Sequence, residues 1–444
     1  MDYIKDQILN KKARIGVIGL GYVGLPLAIE FAKAGFTVTG LDNVQHKVDD
    51  LNARRNYIKD VVDADLVRMV DQKRFIATTA FNVVADLDCI IICVPTPLNK
   101  LKDPDISHVL AVLDHLKIYI HKDMLIILES TTYPGTTRDM LLPQLESSGL
   151  KVGSDFYLCF SPERIDPGNL TYRINNTPKV IGGITADCTE LGGLLYGHVV
   201  NKIVPVTSPE AAEMVKILEN TYRSINIGLV NEVAIMCEKL GIDVWEVIEA
   251  ADTKPFGFMK FTPGPGLGGH CIPVDPHYLS WKMKSLDYRA RFIQLAGDIN
   301  TAMPGHVRDL VALGLNYLQK SIKNSKVLVL GVAYKKDIDD IREAPALDII
   351  QLLEADGAKV DFYDPYVTHI DWDQDKKIGL DRLDKELLKK YDIVTLLTDH
   401  SDFDYELILA GSRLIVDTRN AFAKHNASHI IRLGAGNLNI KPNV

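Results

Sequence analysis

Arg14-Ile-Gly-Val-Ile-Gly-Leu-Gly-Tyr-Val-Gly24 decides the fold. A short apolar run enters a glycine-rich turn, residues 25–34 continue with helical spacing, and a second apolar run, 37–42, follows Gly35. Strand, turn, helix, strand in that order requires a right-handed crossover and a parallel pair. Gly19, Gly21 and Gly24 give the spacing GxGxxG at the strand-to-helix junction. The first glycine permits a tight turn, the second lets a pyrophosphate approach the backbone, and the third lets helix and strand pack. The helix N-terminus adds positive partial charge. Asp42 ends the next strand, about twenty residues beyond the motif, where a carboxylate suits the ribose hydroxyls of NAD and repels the 2′-phosphate of NADP. A bare glycine turn of this form also arises for structural reasons alone. The two flanking strands and the acid favour a dinucleotide site.

Working outward, apolar runs at 89–94, 125–129 and 157–161 read as further buried strands of a doubly wound sheet. That gives a first domain, 1–205. From Ser208 to about Leu240 the apolar residues Ala212, Val215, Leu218, Tyr222, Ile225, Leu229 and Val233 recur every three or four positions, which predicts one long amphipathic helix. More helix is expected at 244–251 and 289–318, around a Gly/Pro break at 263–269, so 206–318 reads as a central helical segment. Strand patterning restarts at 326–333, followed by a helix near 346–355, a strand at 359–363 and apolar runs at 392–397 and 414–416, a third section spanning 319–444. The expected fold is α/β, two Rossmann-like doubly wound domains joined by a central helical segment. Gly331-Val-Ala-Tyr334 lacks the triple glycine, so the last domain is not expected to hold a second dinucleotide in the same way.

A chain of 444 residues is too long for one ordinary core. A formal charge of −8 and a pI near 5.9 argue against a nucleic-acid or anionic-membrane surface and suit a small anionic ligand held by local cations. No stretch reaches the roughly eighteen apolar residues of a membrane span, and the opening residues lack the apolar core of a signal peptide. The cytoplasm is the expected compartment. Six cysteines, Cys89, Cys93, Cys159, Cys188, Cys237 and Cys271, include no CxxC pair and no zinc-ligand spacing, so reduced thiols and no metal are expected.

Cys271 differs from the others. Gly268-Gly269-His270-Cys271-Ile-Pro-Val-Asp275 places it in a Gly/Pro loop, whereas Cys89 and Cys93 sit in an apolar strand. Most cysteines are small core residues, but here the loop, the neighbouring His270 and the acid four residues on favour an accessible nucleophilic thiol. Oxidation of an alcohol alone needs no cysteine. Oxidation continued through the aldehyde gains a route through a thiohemiacetal and a thioester.

With these residues in view, the sequence resembles the UDP-glucose/UDP-N-acetylhexosamine 6-dehydrogenases over nearly its whole length. The family's signposts appear in order: Gly19 to Gly24, Val94-Pro-Thr-Pro97, Ser130-Thr-Thr-Tyr-Pro134, Ser161-Pro-Glu-Arg164, Glu213-Met-Val-Lys-Ile-Leu-Glu-Asn220, Gly268 to Asp275, and Gly331-Val-Ala-Tyr-Lys335 with Asp339-Asp-Ile-Arg-Glu343. The resemblance implies NAD as cofactor, a UDP-sugar as substrate, a homodimer through the central helices and a role in supplying cell-surface polysaccharide precursors. It makes Cys271 the nucleophile, Lys216 and Asn220 the partners of the developing oxyanion, Asp275 the residue that positions water for thioester hydrolysis, and Glu163 with Thr131 the holders of a second water. To the cofactor it assigns Gly19, Gly21, Tyr22, Val23, Gly24, Asp42, Lys47, Thr96 and Arg342. To the sugar nucleotide it assigns Glu163, Arg164, Lys216, Asn220, Gly268, Tyr334, Lys335 and Arg419. Outside such a family, Lys216 and Glu163 would read as solvated surface charges.

His270, in a place where the UDP-glucose enzymes usually carry Ser, Lys254-Pro-Phe-Gly-Phe-Met-Lys-Phe261 and Pro162-Glu-Arg-Ile-Asp-Pro-Gly-Asn169 are similar to the bacterial UDP-N-acetylglucosamine 6-dehydrogenase branch. UDP-N-acetylgalactosamine and UDP-glucose are the alternative substrates, and the mannosamine branch is expected to be less similar around the cysteine loop. A nonenzymatic NAD- or nucleotide-sugar-binding regulator is the rival from another class. Cys271, Lys216, Asn220 and Asp275 together argue against it. A two-electron alcohol dehydrogenase is the third reading, separated by product stoichiometry.

Overall fold

Cys89–Ile92 and Leu125–Leu128 are apolar at every position, which suits only strands covered on both faces, and both are buried throughout. In the computed structural model they lie at the centre of an eight-stranded sheet. The structure describes all residues except 100–102, 166–168, 170, 270, 373–374, 426, 437–439 and 444. His270 and part of the 162–169 stretch, both used in the branch comparison, therefore lie outside the described residues. The chain divides into two compact units, Met1–Glu219 with His277–Tyr288, and Asn220–Pro276 with Arg289–Val444.

The first unit's strands are β1 (Arg14–Ile18), β2 (Thr37–Leu41), β3 (Phe75–Thr78), β4 (Cys89–Ile92), β5 (Leu125–Leu128), β6 (Tyr157–Phe160), β7 (Lys179–Gly183) and β8 (Ile203–Pro205). Their order is β3-β2-β1-β4-β5-β6-β7-β8, and every neighbouring pair is parallel except β6 and β7. One apolar cluster, including Leu27, Phe31 and Leu195, covers one face, and another, including Leu113, Leu116 and Leu141, covers the other. This is the doubly wound arrangement. Strand order reverses between β1 and β4, the place where such sheets bind ligands.

The second unit holds β9 (Lys326–Leu330), β10 (Lys359–Tyr363), the hairpin β11 (His369–Trp372) and β12 (Asp375–Ile378), then β13 (Ile393–Leu396), β14 (Ile415–Asp417) and β15 (Ile430–Arg432). A fully parallel sheet runs β10-β9-β13-β14-β15, again with an apolar cluster on each face. It has the Rossmann-like order of the first, with its own reversal between β9 and β13. The helices Pro209–Leu240, Val244–Asp252 and Arg291–Tyr317 account for the central periodicity.

The sequence reading does not pick out β3, β7, β8, β15, the hairpin or the helix Asp275–Lys284. The strands are short, and β7 ends in two glycines while β8 ends in proline, so neither shows a strand's usual composition. The helix carries too few apolar residues to show a stripe. Its start signal was nevertheless present, an acid followed by Pro276 in the first turn. No helix among the described residues is long and apolar enough to cross a membrane.

Candidate active site

At the end of β1, Gly19 turns with φ +94° and donates its N–H to the Leu41 carbonyl at 2.8 Å. A side chain there would meet the Cys93 carbonyl at 2.6 Å, and a Cβ on Gly24 would collide with the Gly19 carbonyl. Both positions therefore demand glycine. Gly21 has open space where its Cβ would stand, so a ligand can reach the backbone at the N-terminus of the helix Gly24–Ala34. The glycine cradle thus fits the pyrophosphate of a dinucleotide. Asp42 accepts Leu20 N–H at 3.0 Å on one oxygen and Val44 N–H at 3.0 Å on the other. Two carboxylate oxygens have lone pairs to spare beyond these two bonds. Lys47 Nζ stands 3.8 Å from the same carboxylate, and Tyr22 is 43 % exposed. Two residues that sequence reasoning missed brace this cradle. Tyr57 donates its hydroxyl to the Leu20 carbonyl at 2.8 Å, and the buried Tyr278 donates to the Thr96 carbonyl at 2.7 Å.

At the carboxyl ends of β5 and β6 the same unit gathers buried charges. Lys216, buried on the helix Pro209–Leu240, donates to the Glu163 carbonyl at 2.6 Å. One Glu163 oxygen accepts the N–H groups of Arg164 and Ile165 at 2.7 and 2.6 Å, and the other meets Lys179 Nζ at 3.0 Å. Arg164 forks onto Glu219 at 3.2 and 2.6 Å and also bonds the Pro178 carbonyl. Thr131 is half-buried in the turn leaving β5. The structure thus brings together Glu163 and Lys216, both named from the sequence, with Lys179, which sequence reasoning missed. An acid that sequence reasoning also missed is Glu213, which accepts Gly135 N–H, Thr137 N–H and the Thr137 hydroxyl at 2.6, 2.8 and 2.7 Å. It ties the 130–137 loop to the helix that carries Lys216.

The second unit builds the thiol loop. Asn231 receives Gly264 N–H at 2.9 Å and donates to Asn300 at 2.9 Å, anchoring the loop's entry. The Arg419 guanidinium lies against Gly264 and donates to the Leu397 carbonyl at 2.8 Å. Gly268 and Gly269 press on Tyr334, with no room for a Cβ on either, and Gly269 N–H bonds the Arg342 carbonyl at 3.0 Å. Arg342 grips Asp340 with its guanidinium. Lys335 is half-buried at the carboxyl side of β9. Cys271, half-buried, accepts Val274 and Asp275 N–H on its carbonyl at 3.0 and 2.8 Å, a turn that leads straight into the helix Asp275–Lys284. Asp275 is buried and accepts a hydrogen bond from the Asn220 amide. The structure thus joins Asn220 to Asp275 and sets Asp275 one turn from Cys271.

The second sheet repeats the clasp of the first. Gly331, φ +77°, donates to the Tyr363 carbonyl at 3.0 Å, Val332 N–H reaches Asp364 at 2.7 Å, and Tyr366 N–H reaches its other oxygen at 2.8 Å. Here His400, fully buried, bonds Asp364 through Nε2 at 3.0 Å. The Asp364 side chain has no exposure, against 7 % for Asp42. An acid sealed in this way is closed to ribose hydroxyls.

Sequence profiles of the UDP-glucose/GDP-mannose dehydrogenase family match the chain in three parts. The NAD binding domain matches 13–200, the central domain 210–302 and the UDP binding domain 328–424. The chain is 34% identical over 395 residues to UDP-N-acetyl-D-glucosamine 6-dehydrogenase of Pseudomonas aeruginosa, covering 88% of this chain and 92% of that protein. It is also 34% identical over 434 residues to UDP-N-acetyl-D-mannosamine dehydrogenase of Pyrococcus horikoshii, covering 96% and 100%. The solved structure of UDP-D-ManNAc dehydrogenase from Pyrococcus horikoshii superposes with a TM-score of 0.87 at 32% identity, covering 96% of this chain and 100% of that one. With the glycine cradle, the charged cluster and the cysteine loop in place, the chain belongs to the UDP-glucose/GDP-mannose dehydrogenase family and is an NAD-dependent UDP-sugar dehydrogenase.

Proposed function

We propose that this enzyme oxidises the C6 hydroxymethyl of UDP-N-acetylglucosamine to the uronate in two steps through a covalent adduct on Cys271, supplying a precursor for cell-surface polysaccharide. The observation that carries the two-step reading is the Asn220–Asp275 pair set one turn from a half-buried thiol in a glycine loop. NAD, when bound, accepts the hydride of each oxidation. The balance is one CH2OH, two NAD and one water giving one carboxylate, two NADH and three protons. In this reading Lys216 and Asn220, one helical turn apart, present their polar ends to the oxygen that gains charge. Glu163 and Thr131 hold the water that takes the proton of the alcohol. Cys271 adds to the aldehyde, and the oxidised adduct is a thioester. Asp275 orients the water that cleaves it. Tyr334, Lys335 and Arg419 hold the UDP-sugar. A second copy of the chain packs on the central helices, where Tyr222, Leu229 and Met236 recur at seven-residue spacing and stay exposed, as do Phe292 and Leu295.

The glucosamine assignment rests on Ser161-Pro-Glu-Arg164 and Gly269-His-Cys271 and is supported by the Pseudomonas aeruginosa relative. A relative named for the mannosamine sugar is equally identical and more fully covered, so UDP-N-acetylmannosamine is the second reading. Initial rates with a panel of UDP-sugars at saturating NAD test both. The expected order in kcat/KM is the N-acetylglucosamine compound first, then N-acetylgalactosamine, then glucose about tenfold or more behind, because unpaired buried acetamide partners cost about 1–3 kcal/mol each. A lead for UDP-N-acetylmannosamine moves the substrate and leaves the chemistry. Two NADH per sugar are expected. Cys271→Ala should keep NAD and UDP-sugar affinity within roughly threefold while abolishing uronate. One NADH with an aldehyde product overturns the two-step reading.

A further inference from the structure

Lys179, the first residue of β7, is buried with a carboxylate on either side: Glu129 Oε1 at 2.9 Å and Glu163 Oε2 at 3.0 Å. Its ammonium also lies 5.1 Å from the centroid of the Tyr196 ring. Tyr196 donates its hydroxyl to Glu129, and Cys93 Sγ stands 3.9 Å from that carboxylate. Glu129, Lys179 and Tyr196 are all nine-tenths buried or more. A cluster of this kind is a poor stabilising device. Desolvating an ammonium and two carboxylates costs about as much as their attraction returns, and a well-packed apolar set of the same volume is often as stable. What it does provide is a fixed position and a fixed charge for Glu163.

We propose that Lys179 is a positioning residue for the reaction, holding the Glu163 carboxylate in one orientation and keeping it ionised so that it can accept a proton. This rests on the reading of Glu163 as the water-holding proton acceptor. The groups facing Glu163 are Lys179 on β7, Glu129 at the end of β5, Lys216 on the helix Pro209–Leu240, and Tyr196 and Cys93 behind Glu129, with the Arg164–Glu219 pair alongside. Burial raises Glu163, but the charge and hydrogen bond of Lys179 and the charge of Lys216 outweigh it and keep the carboxyl below the usual range. Burial pushes Glu129 up to about 7. Of the two acids on one lysine, Glu163 is thus the one kept ionised and ready, and Glu129 the one that takes up a proton first as pH falls.

The substitutions separate charge from packing. Lys179→Met leaves two buried carboxylates without their shared cation, so both become harder to ionise. The acidic limb of the kcat/KM profile should move up by roughly one unit or more, with KM for the sugar on the alkaline plateau within roughly threefold. Glu129→Gln replaces a group that is already protonated where Glu163 titrates, so its limb should stay near the wild-type position. Lys179→Arg keeps the charge and should do the same. If Lys179→Met does not fold, Lys179→Gln takes its place, since a limb raised by a neutral side chain and restored by Arg is a signature that a packing role would not give. An unmoved limb in the neutral variant overturns the proposal. Glu163→Gln separates the two layers. Retained wild-type turnover there overturns the reading of Glu163 and this proposal with it, whereas an inactive Glu163→Gln beside an unmoved limb in the neutral Lys179 variant removes the role of Lys179 alone.

Discussion

In the ribose role that its sequence position implies, Asp42 would serve the turn and the ligand together. Its two oxygens already hold the N–H groups of Leu20 and Val44, so the carboxylate is pre-oriented before any ribose arrives. Asp42→Ala should weaken NAD binding roughly tenfold and narrow the preference over NADP, because an acceptor and a repelling charge are lost together. Fluorescence titration with both dinucleotides measures it, and unchanged NAD affinity would remove Asp42 from the ribose site. At this scale legibility in the sequence follows locality. Gly19, Gly24 and Asp42 were readable because their constraints lie within one supersecondary unit, and Cys271 with Asp275 because four residues separate them. Lys179, Glu129, Glu213 and His400 were not, since each acquires its meaning from partners 16 to 78 positions away. In the linear chain they are ordinary charges at strand ends.

Among elements, the glycine turn that opens the second sheet depends on Asp364. That carboxylate receives Val332, Ala333, Tyr366 and Val367 N–H groups and His400. Burial raises its pKa, but the His400 contact and the backbone donors more than offset this and hold it below the usual carboxylate range. A carboxyl held below its unfolded value contributes stability that is present above the unfolded pKa and lost as pH falls through the folded one. Asp364→Asn should therefore cost about 2–4 kcal/mol at neutral pH and flatten the acid loss of stability of this unit. Hydrogen exchange across β9, β10 and β13, followed from neutral pH down through the carboxylate range, is the measurement; protection equal to wild type at neutral pH would show the clasp to be dispensable. Long elements were the readable ones. The 32-residue helix stands out by its periodicity, while the helix opening at Asp275 is short of apolar residues and is recognisable only by its Asp-Pro start.

For the whole molecule, the proposed homodimer would cover the exposed residues that repeat along Pro209–Leu240. Leu229 is 54 % exposed and Phe292 74 %, a large apolar outlay for surfaces left in water. Replacing Leu229 and Met236 together by Glu should shift light-scattering mass from dimer to monomer, and a wild-type monomer at micromolar concentration would end the idea. The two Rossmann-like sheets were visible in outline from the spacing of apolar runs, while β3, β8 and β15 at their edges were not, because these are three or four residues long without the continuous apolar run of β4 and β5. The repeated clasp carries a further consequence, one of ancestry and tolerance. One chain contains the same construction twice, glycine, strand carbonyl and acid, and in the second copy a histidine has closed the opening from inside. Such a pair is what a doubled gene segment leaves behind when one descendant keeps its acid open and the other turns it inward to hold the turn. Drift at Asp364 is then policed by folding alone, and a survey of tolerated substitutions would find the two aspartates obeying different laws.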